Sequence, residues 1–350
     1  MTKSFSEASV LVVGGAGFVG SNLVRRLVTE NAAKVIVVDN FLSSEPENLP
    51  ADPCVSVREG SICDDQMLRD IHDDYDYMFH LATYHGNQSS IHDPLADHQN
   101  NLLPSLKLFH HLVGFRRLKK VVYAGAGCAV AEKTFGPTQA TRESDPIGFE
   151  MDSPYSISKL VGEFYAVYFN RQNGLPTVRA RFQNVYGPGE VLGAGQWRGT
   201  PATVWRNVTP TFIYKALHKE ALPLENGGIA TRDFIYVDDI VSGLLLCAEK
   251  GIPGEAYNLA SGHETSIREL AEIINSLAGN NTPMSILPAR TWDSSGRRFG
   301  CTRKSKETIG FEVNVQLEEG LKRTIAWTRK HLSFIQRTMD KHLSKIEMRS

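Results

Sequence analysis

The sequence of 350 residues predicts an α/β protein in which a doubly wound parallel sheet is joined to a smaller C-terminal α/β lobe. Through the first half of the chain, short β-branched runs alternate with stretches of helical periodicity, the pattern of a parallel sheet with helices on both faces. The length also exceeds that of a usual single domain. We therefore expect the sheet domain to span residues 1–187, with segments returning near 233–262, and the second lobe to span residues 188–350.

The composition is that of an ordinary globular protein and excludes several classes of partner. Apolar residues make up 41%, charged residues 22%, and the net charge is −1, so there is no basic field for nucleic acid or a membrane surface. Apolar runs are also too short for a membrane helix. Five cysteines without metal-ligand spacing predict reduced thiols, a cytoplasmic protein and no structural zinc. Small molecules are the expected partners.

A glycine-rich turn joins the first predicted strand, Val10–Val13, to the first helix. Glycines let the backbone close on a pyrophosphate, which the N–H groups and the positive dipole of the following helix attract. The turn therefore predicts a dinucleotide site. Its expected contacts are Gly14, Gly17, Phe18, Val19 and Gly20.

The next apolar run ends in an acid, Asp39, where a second parallel strand would end. A carboxylate at this position can accept both hydroxyls of an adenosine ribose, and it repels the additional phosphate of NADP, so NAD is the expected cofactor. Loops that leave the carboxyl ends of this strand and of its neighbours supply further expected contacts. These are Asn40, Ser61, Ile62, Leu81, Ala82 and Thr83.

Two histidines near the fourth predicted strand, 77–82, lead to different predictions. His80 lies among apolar residues and is expected to be buried and hydrogen-bonded. His85 lies beyond the strand end, where ligands gather, and stays open as a substrate contact. Asp93 and Pro94 are expected to begin the helix that follows.

A tyrosine and a lysine form a second motif. Tyr155 and Lys159 share one face of a helix whose start Asp152 or Ser153 can cap. A lysine ammonium favours the phenolate, so we expect it to lower the pKa of Tyr155 from an ordinary value of about 10, with a nicotinamide cation adding to that shift. The phenol would then accept a hydroxyl proton near neutral pH.

With these motifs the chain resembles the extended short-chain dehydrogenases/reductases of the NAD-dependent nucleotide-sugar epimerase and dehydratase group, over nearly its full length. The resemblance implies a Rossmann domain with bound NAD, chemistry at Tyr155 and Lys159, a nucleoside diphosphate sugar as substrate, and a homodimer. Segments 181–188 and 231–239 are similar to the family's RxxNxYGP and RDFIYVDD motifs. By this resemblance Phe182 contacts the cofactor, and the expected substrate contacts are Asn184, Thr211, Arg232 and Arg290.

The chain departs from its relatives in the segment YAGAGCAVAE. Most members have serine or threonine at the position of Ala126, where the hydroxyl helps to move a proton between sugar O4 and the tyrosine. The segment is instead similar to YASSACIYPE of GDP-mannose 3,5-epimerases, whose cysteine is the acid/base beside a 4-ketone and matches Cys128. A lysine that serves the opposite ring face in those enzymes is replaced by glycine here, so the second acid stays open, with His85 as one candidate. Cys128 as a small core residue is the alternative.

Three functions remain as alternatives. The preferred one is an NAD-dependent epimerase, similar to bacterial O-antigen enzymes that act on UDP-linked diacetamido uronates for surface polysaccharides. It oxidises C4 transiently and inverts C5 with Cys128, while Arg198 or Arg206 pairs with the sugar carboxylate. The second is a UDP-hexose or uronate 4-epimerase in which Cys128 has no role. The third is an NAD-binding module without turnover, which the intact Tyr155 and Lys159 disfavour.

Overall fold

The computed structural model describes residues 5–84, 86–132, 134–293 and 296–347. Its main feature is a seven-stranded parallel sheet in the order β3-β2-β1-β4-β5-β6-β11. The strands of the protein are β1 Ser9–Val13, β2 Lys34–Asp39, β3 Val55–Glu59, β4 Tyr77–His80, β5 Lys120–Ala126, β6 Thr177–Phe182, β7 Asn184–Tyr186, β8 Pro223–Glu225, β9 Thr231–Arg232, β10 Phe234–Tyr236, β11 Ala256–Leu259, β12 Thr265–Ser266 and β13 Ser285–Leu287. The strand order reverses between β1 and β4, and the crevice at such a reversal is where doubly wound sheets bind ligands. The predicted fold class is confirmed.

Helices cover both faces of this sheet and build the second lobe. They are α1 Phe18–Thr29, α2 Asp65–Arg69, α3 Asn87–His92, α4 Pro94–Asp97, α5 Leu103–His111, α6 Pro154–Asn173, α7 Val208–Leu217, α8 Val237–Lys250, α9 Ile267–Ala278, α10 Arg303–Ile309, α11 Leu317–Lys330, α12 Leu332–Asp340 and α13 Leu343–Glu347. Short 3-10 turns lie at Pro46–Asn48, Gly127–Ala129, Pro201–Thr203 and Asn226–Gly228, and a π-helical turn, His98–Leu102, joins α4 to α5.

The core lies on both faces of the sheet. In β1, Val10 and Val12 belong to the apolar cluster on one face, and Leu11 and Val13 belong to the cluster on the other. All four side chains are at most 2% exposed. Burial on both faces explains why the strand appears in the sequence as a continuous apolar run.

The second lobe differs from the prediction at one point. The chain was expected to return to the main sheet near Phe234–Val237 and again near Tyr257–Leu259. Only β11 returns, pairing with β6 along Arg179–Phe182, whereas β10 pairs with β7 in a separate two-stranded sheet. Because β11 occupies the edge of β6, no position beside it is left for β10. The division into domains at residue 187 stays a prediction.

The described C-terminal residues, 317–347, form the three helices α11, α12 and α13. The break lies at His331, between α11 and α12. Leu321 and Ile325 of α11 pack in the core of the second lobe, whereas Ile335 and Met339 of α12 pack against the loop that follows β7. The change of direction lets both helices bury their apolar faces.

No disulfide joins any of the five cysteines, all of which lie within the described residues. Within the described ranges, no helix has the length and apolar character needed to cross a membrane.

Candidate active site

A cavity of about 750 Å³ opens at the carboxyl ends of the central strands and extends to the second lobe. Every residue predicted to contact the cofactor lies on its wall. These are Gly14, Gly17, Phe18, Val19, Gly20, Asp39, Asn40, Ser61, Ile62, Leu81, Ala82, Thr83, Tyr155, Lys159 and Phe182. Of the predicted substrate contacts, the wall includes Asn184, Thr211, Arg232 and Arg290. The structure brings these residues together, and their contacts with ligands stay predictions.

The turn after β1 is shaped to receive a diphosphate. A Cβ on Gly20 would lie 2.2 Å from the carbonyl oxygen of Gly14, and a Cβ on Gly14, whose φ is +81°, would lie 2.4 Å from the nitrogen of Ala82. The turn therefore closes only with glycine at both positions. Gly17 is the N-cap residue of α1 and provides no side-chain cap, so N–H groups of the first helical turn are left to bind an anion.

Asp39 holds the same turn from the end of β2. Its Oδ2 accepts a hydrogen bond from the Ala16 nitrogen at 2.9 Å, and its Oδ1 accepts from the Phe41 nitrogen at 2.9 Å and from Ser44 Oγ at 2.8 Å. A carboxylate has about four acceptor positions. Three are occupied, so one remains for a ribose hydroxyl, where the sequence analysis expected two.

Tyr155 and Lys159 lie in the first two turns of α6. Ser153 caps this helix, since its Oγ accepts from the Ser156 nitrogen at 3.3 Å. Lys159 is 4% exposed, and its Nζ donates to the carbonyl oxygen of Ala124 at 3.2 Å. The cap and the buried lysine fix the face of the helix that points toward the cavity.

The pKa of Tyr155 differs from the prediction. Burial raises the pKa of the phenol above its ordinary value, and the nearby Cys128 and Tyr123 raise it further. Burial also lowers the pKa of Lys159 to about 8. In a site without a bound cation, desolvation disfavours both charges. The expected lowering of the Tyr155 pKa by Lys159 is therefore not seen without a bound dinucleotide, and the phenol as a base beside a nicotinamide cation stays a prediction.

Cys128 lies beside Tyr155. It belongs to the 3-10 turn Gly127–Ala129 that directly follows β5, lines the cavity, and packs with Tyr155 in a small apolar cluster that includes Ala126. The thiol, the phenol and the lysine thus share one region of the wall. Ala126 carries a methyl group at the position where the resemblance noted above leads one to expect a hydroxyl.

The second lobe supplies positive charge. Arg232 is 8% exposed, and its Nη1 donates to the carbonyl oxygens of Thr231 at 2.7 Å and Gly296 at 3.0 Å. Burial, followed by the neighbouring Arg298, lowers the pKa of Arg232 to about 9. Arg290 pairs with Glu225 and lies over the Trp292 ring. An anionic diphosphate would offset the cost of burying the Arg232 guanidinium group.

The structure does not place Arg198 on the cavity wall. Its side chain is covered by the loop after β2 and donates from Nη1 to the carbonyl oxygens of Leu42 at 3.1 Å and Gln196 at 3.2 Å. The alternative, Arg206, does line the cavity, together with the buried Glu190, whose pKa burial raises to about 7. Of the two arginines expected as alternatives for the sugar carboxylate, the structure thus places Arg206 and not Arg198 on the cavity wall. His85 lies outside the described residues.

His80 is buried as predicted. It is 2% exposed, and its Nε2 lies 2.9 Å from Ser105 Oγ, which donates to the carbonyl oxygen of Asn101 at 2.7 Å. Because the single Ser105 proton is committed to Asn101, Nε2 of His80 carries the hydrogen. No grouping of three or more histidine, cysteine, aspartate or glutamate side chains in the described part of the chain is arranged for a metal ion.

Sequence reasoning missed two buried polar residues behind Tyr155. Asp97 and Asn101 are 1% and 3% exposed and lie at the junction of α4 with the π-helical turn. Their stretch has ordinary helical periodicity, so no local signal marked them. It also missed Glu190 and Asn207, which line the cavity and are joined by a hydrogen bond from Asn207 Nδ2 to Glu190 Oε1.

Comparisons with known proteins agree with this geometry. The family model "NAD dependent epimerase/dehydratase family" matches residues 10–260. The crystal structure of the Bordetella bronchiseptica enzyme WbmF in complex with NAD+ and UDP is 55% identical and superposes with a TM-score of 0.89, covering 99% of this chain and 100% of that chain.

Two more distant relatives are 4-epimerases by name. The crystal structure of UDP-glucose 4-epimerase from Thermotoga maritima with UDP-glucose is 32% identical, with a TM-score of 0.83 and coverage of 93% of this chain and 99% of that one. A putative UDP-glucose 4-epimerase of Methanocaldococcus jannaschii is 29% identical over 324 residues, 92% of this chain and 99% of its own length.

Proposed function

The chain belongs to the NAD dependent epimerase/dehydratase family, and we propose that it is an NAD-dependent epimerase that inverts C5 of a UDP-linked uronic acid sugar for a surface polysaccharide. The observation that carries this proposal is the position of Cys128. Its thiol adjoins Tyr155 on the cavity wall, and Ala126 leaves the usual hydroxyl position without a polar group. A thiol at this point supports proton exchange at carbon.

The residues of the cavity fit NAD. The glycine turn and the uncapped N-terminus of α1 would hold its pyrophosphate, and Asp39 would accept one ribose hydroxyl. When bound, NAD would oxidise the sugar carbinol at C4 to a ketone and later reduce it again. Its nicotinamide cation would favour the Tyr155 phenolate, which burial alone disfavours. WbmF holds NAD+ in its crystal structure.

Two side chains would move the protons. Tyr155 accepts the proton of the O4 hydroxyl as C4 is oxidised and returns it when C4 is reduced. The 4-ketone acidifies the C5–H bond, so the Cys128 thiolate can remove that hydrogen as a proton and leave an enolate. A second acid then protonates C5 from the opposite ring face. Cys128 ends protonated and the second acid ends deprotonated, so a proton must return between them before the next turnover.

The charges of the cavity support the substrate class. Arg232 and Arg290 line one part of the wall and suit a diphosphate, and WbmF holds UDP in its crystal structure. Arg206 lines another part, and its buried Nε has no hydrogen-bond partner among the residues described. A planar guanidinium suits a carboxylate, so we assign the uronate carboxyl group to Arg206.

A 4-epimerase is the second possibility. The likeness to the Thermotoga maritima UDP-glucose 4-epimerase supports it, and Cys128 would then have no chemical role. A module that binds NAD without turnover is disfavoured, because Tyr155 with the buried Lys159 one helical turn along α6 would serve no purpose in such a protein.

Solvent deuterium separates these alternatives. The purified enzyme is incubated in D2O with a panel of UDP- and GDP-linked hexoses and uronates, and the recovered sugars are analysed by mass spectrometry. C5 inversion adds one deuterium to the ring, whereas 4-epimerisation adds none. Cys128→Ala should stop ring deuteration, while Cys54→Ala, at the start of β3 and off the cavity wall, should leave it unchanged. Full deuteration by the Cys128 variant would remove the thiol from the mechanism.

We also propose a homodimer formed through α6. Three large side chains on this helix are about half exposed: Ile157 at 50%, Phe164 at 54% and Tyr168 at 55%. A second copy of the chain would cover them. Sedimentation velocity should give a dimer for the wild type and a monomer for Phe164→Glu, and a monomeric wild type would contradict the proposal.

A further inference from the structure

We propose that the Thr83 hydroxyl, held by Asn101 and Asp97, is the polar partner of the Tyr155 phenol and takes the place of the hydroxyl that Ala126 lacks. Thr83 follows β4 and lines the cavity together with Tyr155. Burial raises the pKa of the Tyr155 phenol, and hydrogen bonding with the Thr83 hydroxyl opposes that rise. The inference deepens the proposed function, because it assumes that Tyr155 is the base. It concerns the phenol alone and does not depend on which sugar the enzyme takes.

The side-chain amide of Asn101 can adopt only one orientation. Its Oδ1 accepts from the Tyr84 nitrogen at 2.6 Å, and a backbone N–H can only donate, so the orientation of the amide is determined. Its Nδ2 donates to Asp97 Oδ1 at 2.6 Å and, more weakly, to the carbonyl oxygen of Tyr84 at 3.3 Å. The remaining position on Oδ1 accepts from Thr83 Oγ1 at 3.0 Å. All the hydrogen-bonding positions of the amide are therefore occupied.

The π-helical turn brings this amide to the end of β4. Such turns insert an extra residue into a helix and recur at functional sites. His98–Leu102 widens the helix between α4 and α5, and Asn101, within this turn, reaches both Thr83 and Tyr84. The irregular backbone of this turn therefore serves to position the side chain of Asn101.

The arrangement dictates what Thr83 can do. While the Thr83 hydroxyl donates its proton to Asn101, its lone pairs are free to accept a hydrogen bond from the neutral phenol of Tyr155. When Tyr155 loses that proton, the Thr83 hydroxyl can rotate and donate to the phenolate, because Asn101 Oδ1 keeps its bond from the Tyr84 nitrogen. A hydroxyl is suited to both states, since it is donor and acceptor at once.

Asp97 anchors this chain of hydrogen bonds and joins it to the helix of the base. It is 1% exposed and accepts a hydrogen bond from Asn101. Burial raises the pKa of its carboxyl group, and hydrogen bonding with Ser158 of α6 opposes that rise. The ionisable groups whose charges act on Tyr155 are Cys128, Tyr123 and Asp97, and Lys159 lies one helical turn away on α6. Of these, only Lys159 is a cation, so donation by Thr83 is a second means of stabilising the phenolate.

The test measures ionisation of Tyr155 in the NAD+-loaded protein without any sugar. The absorbance difference between wild type and Tyr155→Phe is followed against pH, and the titration is repeated for Thr83→Val and Thr83→Ser. Loss of one hydrogen bond to a charged group predicts that Thr83→Val raises the midpoint by about one pH unit, roughly a tenfold loss of phenolate at a fixed lower pH. Thr83→Ser, which keeps the hydroxyl, should titrate like the wild type.

A matched control and a rescue complete the design. Thr29→Val makes the same change on the exposed end of α1 and should leave the midpoint unchanged. Adding Ala126→Ser to Thr83→Val should move the midpoint back toward the wild-type value. An unshifted midpoint in Thr83→Val, an equal shift in Thr83→Ser, or a wild-type phenol that does not ionise would overturn the inference. If no sugar of the panel is turned over but Thr83→Val still shifts the midpoint, the proposed function alone is refuted.

Discussion

Replacing Gly20 by alanine tests the dinucleotide site most sharply. The new Cβ would lie 2.2 Å from the carbonyl oxygen of Gly14 and 2.7 Å from the Cα of Gly15, so the turn must shift by about 1 Å to restore ordinary contact. Such a shift misdirects the N–H groups that face the pyrophosphate. Loss of two hydrogen bonds to a charged group, at about 1.5–3 kcal/mol each, weakens binding by about two to four powers of ten.

The assay is titration calorimetry of the stripped protein with NAD+. Thermal stability alone is a poor readout, because alanine is favoured over glycine in a helix by about 1 kcal/mol and offsets part of the strain. Gly148→Ala is the matched control, since its Cβ would meet no atom within 4 Å, and it should bind NAD+ like the wild type. If Gly20→Ala binds NAD+ within about threefold of the wild type, a difference below 1 kcal/mol, the reasoning about this turn is refuted.

Three further predictions concern single side chains. Tyr155→Phe should lower turnover by at least about a hundredfold while calorimetry still finds NAD+ bound; retained turnover would exclude the phenol as the base. Arg181 lies 2.9 Å from a carboxylate oxygen of Glu163, and both side chains are at most 4% exposed. Glu163→Gln leaves this buried guanidinium without a counter-charge, so urea unfolding should show that the free energy of unfolding falls by about 3–5 kcal/mol. Burial lowers the pKa of His80 to about 3, so between pH 6.5 and 3 this histidine takes up a proton only in the unfolded chain. The free energy of unfolding should therefore fall as the pH falls, by about 2 kcal/mol at pH 5. His80→Gln should lack this loss.

The sheet could be predicted because its signals are local. The central strands β1, β2, β4 and β5 are short, mainly apolar runs, and the glycine turn and Asp39 mark the strand ends where ligands gather. Pairing within the second lobe has no such signal. The partner of β10 depends on which strand already occupies the edge of β6, and the break at His331 depends on two separate apolar surfaces.

The same division applies to the site. Tyr155 and Lys159 were found because a spacing of four residues places them on one helical face. The raised pKa of the phenol was not predicted, because burial is a property of the folded chain. Arg198 and Arg206 lie in one loop of irregular structure, and only the fold shows which of them faces the cavity. Asn101 owes its role to a π-helical turn that the apolar pattern of its helix does not reveal.

The central claim is that the sugar passes through a 4-ketone while Tyr155 holds the O4 proton. The fate of deuterium placed at C4 of an active nucleotide sugar tests it most directly. The account predicts slower turnover of the labelled sugar and a C5-inverted product, analysed by mass spectrometry and NMR, that keeps the label at C4. Loss of the label from C4 to solvent during inversion would contradict it, since the hydrogen removed from C4 would then not have returned to that carbon.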